Sequence, residues 1–238
     1  MRRRLHKAPR LVWIIPVLLL CTSVCLTGAA RRKSSLYALN TIEGLEVINT
    51  KASAAKYLGK NAVRLLDLPG QAKDDVAGGN TIAVIAGTDF SEGTIDVDVA
   101  GAPREGATEG ARGFIGIAFH VQEQRNRFEC FYLRPTNGRA DDQLRRNHSV
   151  QYIAEPDFPW PRMRSEFPGV YESYADIQPG VWTHLKIEVS AGKARLYING
   201  AKEPTLIVND MKHAATHGPV ALWIGQDTDG YFSSLKIQ

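Results

Sequence analysis

Hydrophobic and polar residues alternate along much of this chain, in short runs that end at glycine, asparagine, aspartate or proline. The clearest alternation covers two neighbouring segments, Trp182–Ser190 and Lys193–Gly200, which are joined by a short turn that contains Gly192. A period of two on both sides of such a turn predicts a β-hairpin with one buried face. The side chains predicted to face the core are Leu185, Ile187, Val189, Ala194, Leu196 and Ile198. Asn199 and Gly200 predict the next tight turn, because both residue types tolerate a positive φ.

About a dozen segments of this kind follow one another, which predicts an all-β protein with two antiparallel sheets packed as a sandwich or jelly roll. The predicted strands are Leu45–Asn49, Ala62–Leu66, Thr81–Ala86, Thr94–Val99, Gly113–Val121, Phe128–Arg134, Val150–Ile153, His184–Val189, Ala194–Asn199, Pro204–Val208, Val220–Ile224 and Tyr231–Ile237. The best helical candidate is Asp141–Arg146. The longest irregular segment is Arg134–Pro179, and loops of this length in compact domains are usually functional or disordered. Its many aromatic residues argue against disorder.

The first thirty residues have the composition of an export signal. Basic residues precede an apolar run at Leu11–Leu20, and small residues at Thr27–Ala30 suit a signal peptidase. An uncleaved N-terminal anchor is the alternative. We therefore predict a signal peptide or anchor over residues 1–30, a polar tether over 31–43 and one β-sandwich domain over 44–238. The predicted location is periplasmic, at the cell surface or extracellular, with membrane contact only through residues 1–30 if they are retained.

The net charge of +4 originates in the same N-terminal segment. The chain has 29 lysines and arginines and 25 acidic residues, and five of the basic residues but none of the acidic ones lie in residues 1–30. The rest of the chain is close to neutral, so no overall basic field would recruit nucleic acid. Cys130 is the only cysteine beyond residue 30, which excludes an intramolecular disulfide there. No serine-hydrolase elbow, phosphate-binding loop or zinc-ligand spacing is found.

Alternation also assigns the polar residues of three predicted strands to one face of a sheet. These strands are Thr94–Val99, Gly113–Val121 and Phe128–Arg134. The third strand, Phe128–Arg134, fits this face if Phe131 and Leu133 point to the core, and its opposite register would expose Glu129 instead. The polar face would then collect Asp96, Asp98, His120, Tyr132 and Arg134. Gly116 and Ala118 beside it would leave open space above the backbone, as a binding groove requires. If the protein is an enzyme, its acid–base candidates are Asp96, Asp98, His120 and Glu129. The alternative is a solvated sheet face without chemical function.

The segment that follows the third strand is dense in planar hydrogen-bonding groups and leads into aromatic residues. Guanidinium groups bind carboxylates or vicinal hydroxyls, and aromatic rings cover the apolar faces of sugars. This combination predicts a saccharide site. The predicted ligand-binding residues are Tyr132, Arg134, Asn137, Arg139, Asp141, Asp142, His148, Tyr152 and Trp160. The alternative is a network of internal ion pairs that holds a long loop.

Calcium has two candidate sets of oxygen ligands. These are Asn137, Asp141 and Asp142, and separately Asp227 and Asp229. Neither set has the spacing of a known calcium loop, and Asp227–Gly230 is typical of a turn. We therefore predict no metal site and no cofactor.

Five segments carry a resemblance to a known family: Glu92–Val99, Gly113–His120, Phe128–Pro135, Trp182–Gly200 and Leu222–Ile237. They resemble the concanavalin A-like lectin and glucanase superfamily, in its laminin-G-like and 3-keto-disaccharide-hydrolase-like branches. The resemblance covers about residues 45–238 and implies a β-sandwich. The resemblance does not specify one function, since the superfamily includes lectins, glycosidases and adhesion modules.

Laminarinase-type hydrolases of this superfamily carry the pattern Glu-x-Asp-x-Glu on one strand. The matching residues here are Thr94, Asp96 and Asp98, so the first glutamate is absent and the last is an aspartate. The predicted function is therefore an exported carbohydrate-binding module with a glycan as its partner. A glycoside hydrolase that acts on glycosides or keto-glycosides is one alternative, and a cell-surface protein-interaction domain is the other.

Overall fold

The computed structural model describes residues 34–67, 81–213 and 216–238. The predicted signal peptide or anchor lies outside these residues. In the described ranges, no helix is both long and apolar enough to cross a membrane. The strands, in chain order, are β1 (Ser35–Tyr37), β2 (Leu45–Ile48), β3 (Lys51–Tyr57), β4 (Lys60–Leu66), β5 (Ile82–Ile85), β6 (Gly93–Pro103), β7 (Ile115–Phe119), β8 (Phe128–Leu133), β9 (Val150–Glu155), β10 (Glu172–Ser173), β11 (Thr183–Ser190), β12 (Lys193–Ile198), β13 (Leu206–Val208), β14 (Ala221–Ile224) and β15 (Thr228–Ile237). Two helices, α1 (Gln143–Asn147) and α2 (Trp160–Glu166), and a 3-10 turn at Pro135–Asn137 complete the regular elements of the described residues.

The strands form two antiparallel sheets. Sheet A has the order β13-β12-β11-β6-β15-β4-β3, with β1 paired to β15. Sheet B has the order β10-β9-β8-β7-β14-β5-β2. The predicted hairpin is confirmed as β11–β12, in which Leu185 lies opposite Ile198 and the turn residues Ala191 and Gly192 have φ values of 50° and 71°. The all-β sandwich predicted from the alternation is therefore confirmed.

The main core lies between the two sheets and follows the predicted alternation. Ile95 and Val97 of β6 are fully buried, as are Ile117 of β7 and Phe131 of β8. They belong to one cluster that contains residues of both sheets. Burial of each such side chain contributes about 1.5–3 kcal/mol. The register that we assigned to β8, with Phe131 and Leu133 inward, is confirmed.

The outer face of sheet B is not the open groove that the small residues suggested. It carries a second apolar cluster in which Ala118, Tyr132 and Trp223 are each 0% exposed. A Cβ at Gly116 would lie 2.7 Å from the Cβ of Tyr132 and 2.1 Å from the carbonyl oxygen of Phe131. Glycine is therefore needed at this position because β8 passes close to it, and the Tyr132 side chain occupies the space beside it.

Two further expectations need correction. The predicted tether, residues 31–43, contains β1, which pairs with β15, and Leu39 is buried against the core. The segment Arg134–Pro179 is irregular only in part, because it holds both helices, β9 and β10. Helix α1 matches the predicted helical candidate, whereas α2 was not predicted.

Candidate functional site

The four acid–base candidates do not meet on one face of the protein. Asp96 and Asp98 lie on the outer face of sheet A, where His184 Nδ1 is 3.0 Å from Asp98 Oδ1 and Lys60 Nζ is 2.7 Å from Asp98 Oδ2. His120 and Glu129 belong to the part of the chain that forms sheet B. Consecutive strands β6 and β7 enter different sheets, so the prediction that Asp96, Asp98 and His120 share a face is wrong.

His120 and Glu129 form a buried polar network. His120 Nδ1 lies 2.9 Å from Glu129 Oε2, and its Nε2 lies 2.9 Å from the carbonyl oxygen of Ser91. Glu129 Oε1 accepts hydrogen bonds from the Tyr152 hydroxyl at 2.7 Å and the His213 backbone at 3.0 Å. The carboxylate is 0% exposed and already has three donors around it. Glu129 is therefore enclosed within the fold, whereas His120 also lines a separate pocket of 520 Å³ together with Ser91 and Met211.

The backbone at His120 explains why alternation misplaced this residue. Its φ is 55°, which reverses the sequence of inward and outward side chains at the end of β7. Val121 consequently joins the outer apolar cluster, although alternation placed it with the core residues.

The pH dependence of stability should reflect Glu129. Burial tends to raise the pKa of its carboxyl group, but hydrogen bonds from His120, Tyr152 and the His213 backbone outweigh burial and hold the pKa below its usual value. The stabilisation is then present above the unfolded-state pKa of about 4.3 and is lost as the pH falls through the folded-state pKa. We expect the free energy of unfolding to fall as the pH drops below the unfolded-state pKa of about 4.3. Chemical denaturation at several pH values measures this, and a Glu129→Gln variant should lose part of the dependence.

The loop segment forms a real pocket, which we name the arginine pocket. It has a volume of 250 Å³ and lies where the outer face of sheet B meets the loops that precede β7 and follow β8. Its nine lining residues are Gly110, Arg112, Phe114, Arg134, Asn137, Arg145, His148, Trp160 and Arg164. Four of the predicted ligand-binding residues line it: Arg134, Asn137, His148 and Trp160.

Arg134 connects this pocket to the buried face of sheet B. Its Nη2 donates to the Tyr132 hydroxyl at 2.7 Å and to Gln151 Oε1, while Nη1 donates to the His148 carbonyl at 3.1 Å. Tyr132 in turn donates to Gln151 at 3.0 Å, and burial raises its pKa, so the phenol stays neutral. Tyr132 therefore lies beneath the pocket and orients Arg134.

Several polar atoms at this pocket are not used by the protein itself. Asn137 is 4% exposed; its Nδ2 donates to the His148 carbonyl at 3.2 Å, but its Oδ1 has no hydrogen-bond partner among the described residues. The buried Nε of Arg145 also has none within the described ranges. Buried polar groups are normally paired, so these two atoms remain available for hydrogen bonds to a ligand. Trp160 is half-buried beside them and packs against the outer apolar cluster.

A second pocket adjoins the first. It has a volume of 510 Å³ and shares His148 and Arg164 with the arginine pocket. Its other lining residues include Leu144, Glu172 and Tyr174. A ligand longer than one small ring could therefore extend from one pocket into the other.

The remaining predicted ligand-binding residues lie outside the lining of the arginine pocket. Arg139 forms an exposed ion pair with Asp176, at 2.6 Å from Nε to Oδ1. Asp142 caps α1 by accepting from the Arg145 backbone at 2.9 Å, and Asp141 is exposed outside the pocket lining. Tyr152 is fully buried in the main core, as described above.

The calcium candidates have other partners. The carboxylate of Asp227 contacts Arg104 at 2.5 Å and Thr108 at 2.7 Å, and Asp229 contacts Arg64 at 2.7 Å. Among the described residues, no group of three or more His, Cys, Asp or Glu side chains could hold a metal ion. The carboxylates of Asp227 and Asp229 thus pair with arginines.

Five lining residues were absent from the predicted site: Gly110, Arg112, Phe114, Arg145 and Arg164. Arg145 lay in the loop segment already noted for its guanidinium groups, so its residue type was a usable signal. Arg112 is distant in sequence from that loop, and only the pairing of β7 with β8 brings it there. Arg164 lies on the helix that was not predicted.

Comparisons with known proteins identify the fold of this chain but not a family to which it belongs. No family model and no curated protein matches the chain. A protein of unknown function with a galectin-like fold from Bacillus subtilis is 9% identical, has a TM-score of 0.55 and matches over 86% of this chain and 94% of that one. A carbohydrate-binding module from Bacillus subtilis is 13% identical, has a TM-score of 0.53 and matches over 82% of this chain and 96% of that one. The fold is therefore a galectin-like jelly-roll sandwich, in agreement with the resemblance to concanavalin A-like proteins.

Proposed function

We propose that this protein is a carbohydrate-binding module whose ligand occupies the arginine pocket. The observation that carries the proposal is the combination of unused polar atoms at Asn137 and Arg145 with the ring of Trp160 in one pocket. Sugars present hydroxyl groups to polar partners and C–H faces to aromatic rings, so they need both kinds of surface. The carbohydrate-binding module from Bacillus subtilis has the same type of fold, which supports the proposal.

The size of the site fits a short saccharide. Pockets for drug-sized ligands measure about 300–1,000 Å³. The arginine pocket, at 250 Å³, suits one sugar ring, and the adjoining pocket of 510 Å³ offers room for further rings. Tyr174 in the adjoining pocket is 39% exposed and offers a second aromatic surface.

The arrangement of carboxylates favours binding over hydrolysis. Glycosidases place two carboxyl groups about 5–9.5 Å apart across the scissile bond. The nine residues that line the arginine pocket include no aspartate or glutamate. Asp96 and Asp98 lie on the other sheet, and Glu129 is enclosed in its own network. The alternative of a glycoside hydrolase therefore receives less support from the described residues.

We further propose that the module acts outside the cytoplasm. The proposal rests on the basic and apolar composition of residues 1–30. Analysis of the N-terminus of the protein purified from culture medium or from membranes would test it. A full-length protein retained in the cytoplasm would contradict it.

Replacement of Trp160 by alanine is expected to weaken saccharide binding at least tenfold. Truncation of a central aromatic anchor typically costs about 2 kcal/mol of binding free energy, and about 1.4 kcal/mol corresponds to a factor of ten. Retention on immobilised polysaccharides, followed by calorimetric titration with the best oligosaccharide, provides the measurement. The matched control is Arg139→Ala, which removes an exposed side chain outside the pocket.

Two results would contradict the proposed function. One is the absence of binding to any saccharide of a broad panel. The other is an equal affinity for the native protein and the Trp160→Ala variant. Release of reducing sugars by the native protein would reassign it to the hydrolases.

A further inference from the structure

The arginine pocket contains an excess of positive charge. Four of its nine lining residues are arginines, and a histidine is a fifth basic side chain. No acidic residue lines the pocket. Neutral sugars are bound by mixtures of amides, carboxylates and guanidinium groups, so a lining with four arginines and no carboxylate requires a separate explanation.

Glu172 compensates only one part of this charge. It contacts Arg134 Nη1 at 3.3 Å, Arg164 Nε at 3.1 Å and His148 Nδ1 at 2.8 Å. One carboxylate is thus shared by two arginines and a histidine on the side of the adjoining pocket. The basic groups on the opposite side need another partner.

Arg112 and Arg145 form this uncompensated side. Among the described residues, the Nη1 of Arg112 donates only to backbone carbonyls, those of Glu109 at 2.7 Å and Ala111 at 3.0 Å. Within the described ranges, the Arg145 side chain has no ion pair. Burial lowers the pKa of Arg112, as does repulsion by Arg145 and Arg134, and Glu109 offsets this only in part. Like charges held together in a half-buried site destabilise the protein until an anion enters.

We propose that the arginine pocket selects an acidic saccharide and that the carboxylate of a uronic acid unit binds between Arg112 and Arg145. The inference rests on the proposed function and names its ligand class. A planar guanidinium pairs with a carboxylate through two parallel hydrogen bonds, which a hydroxyl group cannot reproduce. The unpaired Oδ1 of Asn137 accepts a hydrogen bond from a ring hydroxyl of the same sugar unit. Trp160 and Phe114 supply the apolar surface for its C–H groups.

The experiment compares an oligogalacturonate with the same oligosaccharide in fully methyl-esterified form, by calorimetric titration. Esterification removes the charge and leaves the hydroxyl groups in place. We expect the acid form to bind at least tenfold more tightly than the ester, and its affinity to fall as salt concentration rises. Arg145→Gln should remove this preference, whereas Arg145→Lys, which keeps the charge but not the planar fork, should restore part of it. Arg139→Gln is the matched control and should behave as the native protein.

Each outcome bears on a different statement. Equal binding of acid and ester, with Trp160→Ala still weakening both, overturns the acidic-sugar inference and leaves the proposed function intact. Absence of binding to either form, and to a panel of neutral and sulfated saccharides, overturns both. Tighter binding of a sulfated neutral oligosaccharide than of the uronate would show that the pocket prefers a sulfate ester to a carboxylate. This result would overturn the inference. A preference for the acid that survives Arg145→Gln would place the anion elsewhere and overturn it as well.

Discussion

Replacement of Glu129 by alanine is expected to lower the free energy of unfolding by about 3–5 kcal/mol. Removal of one partner from a buried charged network leaves the others without compensation, and this is the usual cost. The variant would leave His120 Nδ1, the Tyr152 hydroxyl and the His213 backbone without their common acceptor. These three groups come from different parts of the chain, so the loss would extend beyond one strand. Equilibrium denaturation with urea measures the effect.

Glu123→Ala is the matched control for this experiment. Glu123 is exposed, and surface changes of this kind usually alter stability by less than about 0.5 kcal/mol. A Glu129→Ala protein as stable as the control would show that the network contributes little. The assignment of Glu129 as a structural residue would then be wrong, and its role as an acid–base candidate would have to be reconsidered.

Replacement of Trp223 by alanine is expected to cost about 3–5 kcal/mol, the range for removal of a large aromatic side chain from a packed core. Trp223 lies on the outer face of sheet B, is 0% exposed and packs against Tyr132 at a ring distance of 4.9 Å. The prediction tests whether this face is a second core. If the face were the open groove that alternation suggested, the same substitution would cost far less.

Trp182→Ala is the comparison variant. Trp182 is half-buried on the outer face of sheet A and contacts Tyr57 edge to face at 5.8 Å. A smaller loss of stability, about 1–2 kcal/mol, is expected there because folding removes less apolar surface from water at this position. Thermal denaturation of both variants provides the measurement. Equal losses for Trp223→Ala and Trp182→Ala would contradict the second core.

The sequence pattern predicted strands well wherever large apolar side chains alternate. Strand β11 is the clearest case, since Leu185 and Ile187 face the core as expected. Strand β3, Lys51–Tyr57, was missed because it is built mainly from small and polar residues at the edge of sheet A. Its pairing with β4 comes from backbone hydrogen bonds, which leave no hydrophobic period in the sequence.

The residues that the sequence could and could not bring together at one site also differ for a physical reason. Alternation gives the face of a strand but not the sheet to which the strand belongs, so Asp96 was grouped with His120 across the sandwich. Arg134 and Asn137 were predicted because they follow β8 directly, and both line the arginine pocket. Arg112 could not be predicted, since its position in the pocket depends on the register of β7 with β8.

The pairing of β1 with β15 has a practical consequence for experiments on binding. Strands β1 and β15 both belong to sheet A, and the backbone of Gln238 bonds to Thr94 of the same sheet. The arginine pocket opens at the other sheet. A biotin, fluorophore or chip surface coupled after Gln238 would therefore sit on the side away from the pocket, and the immobilised protein should retain full ligand capacity.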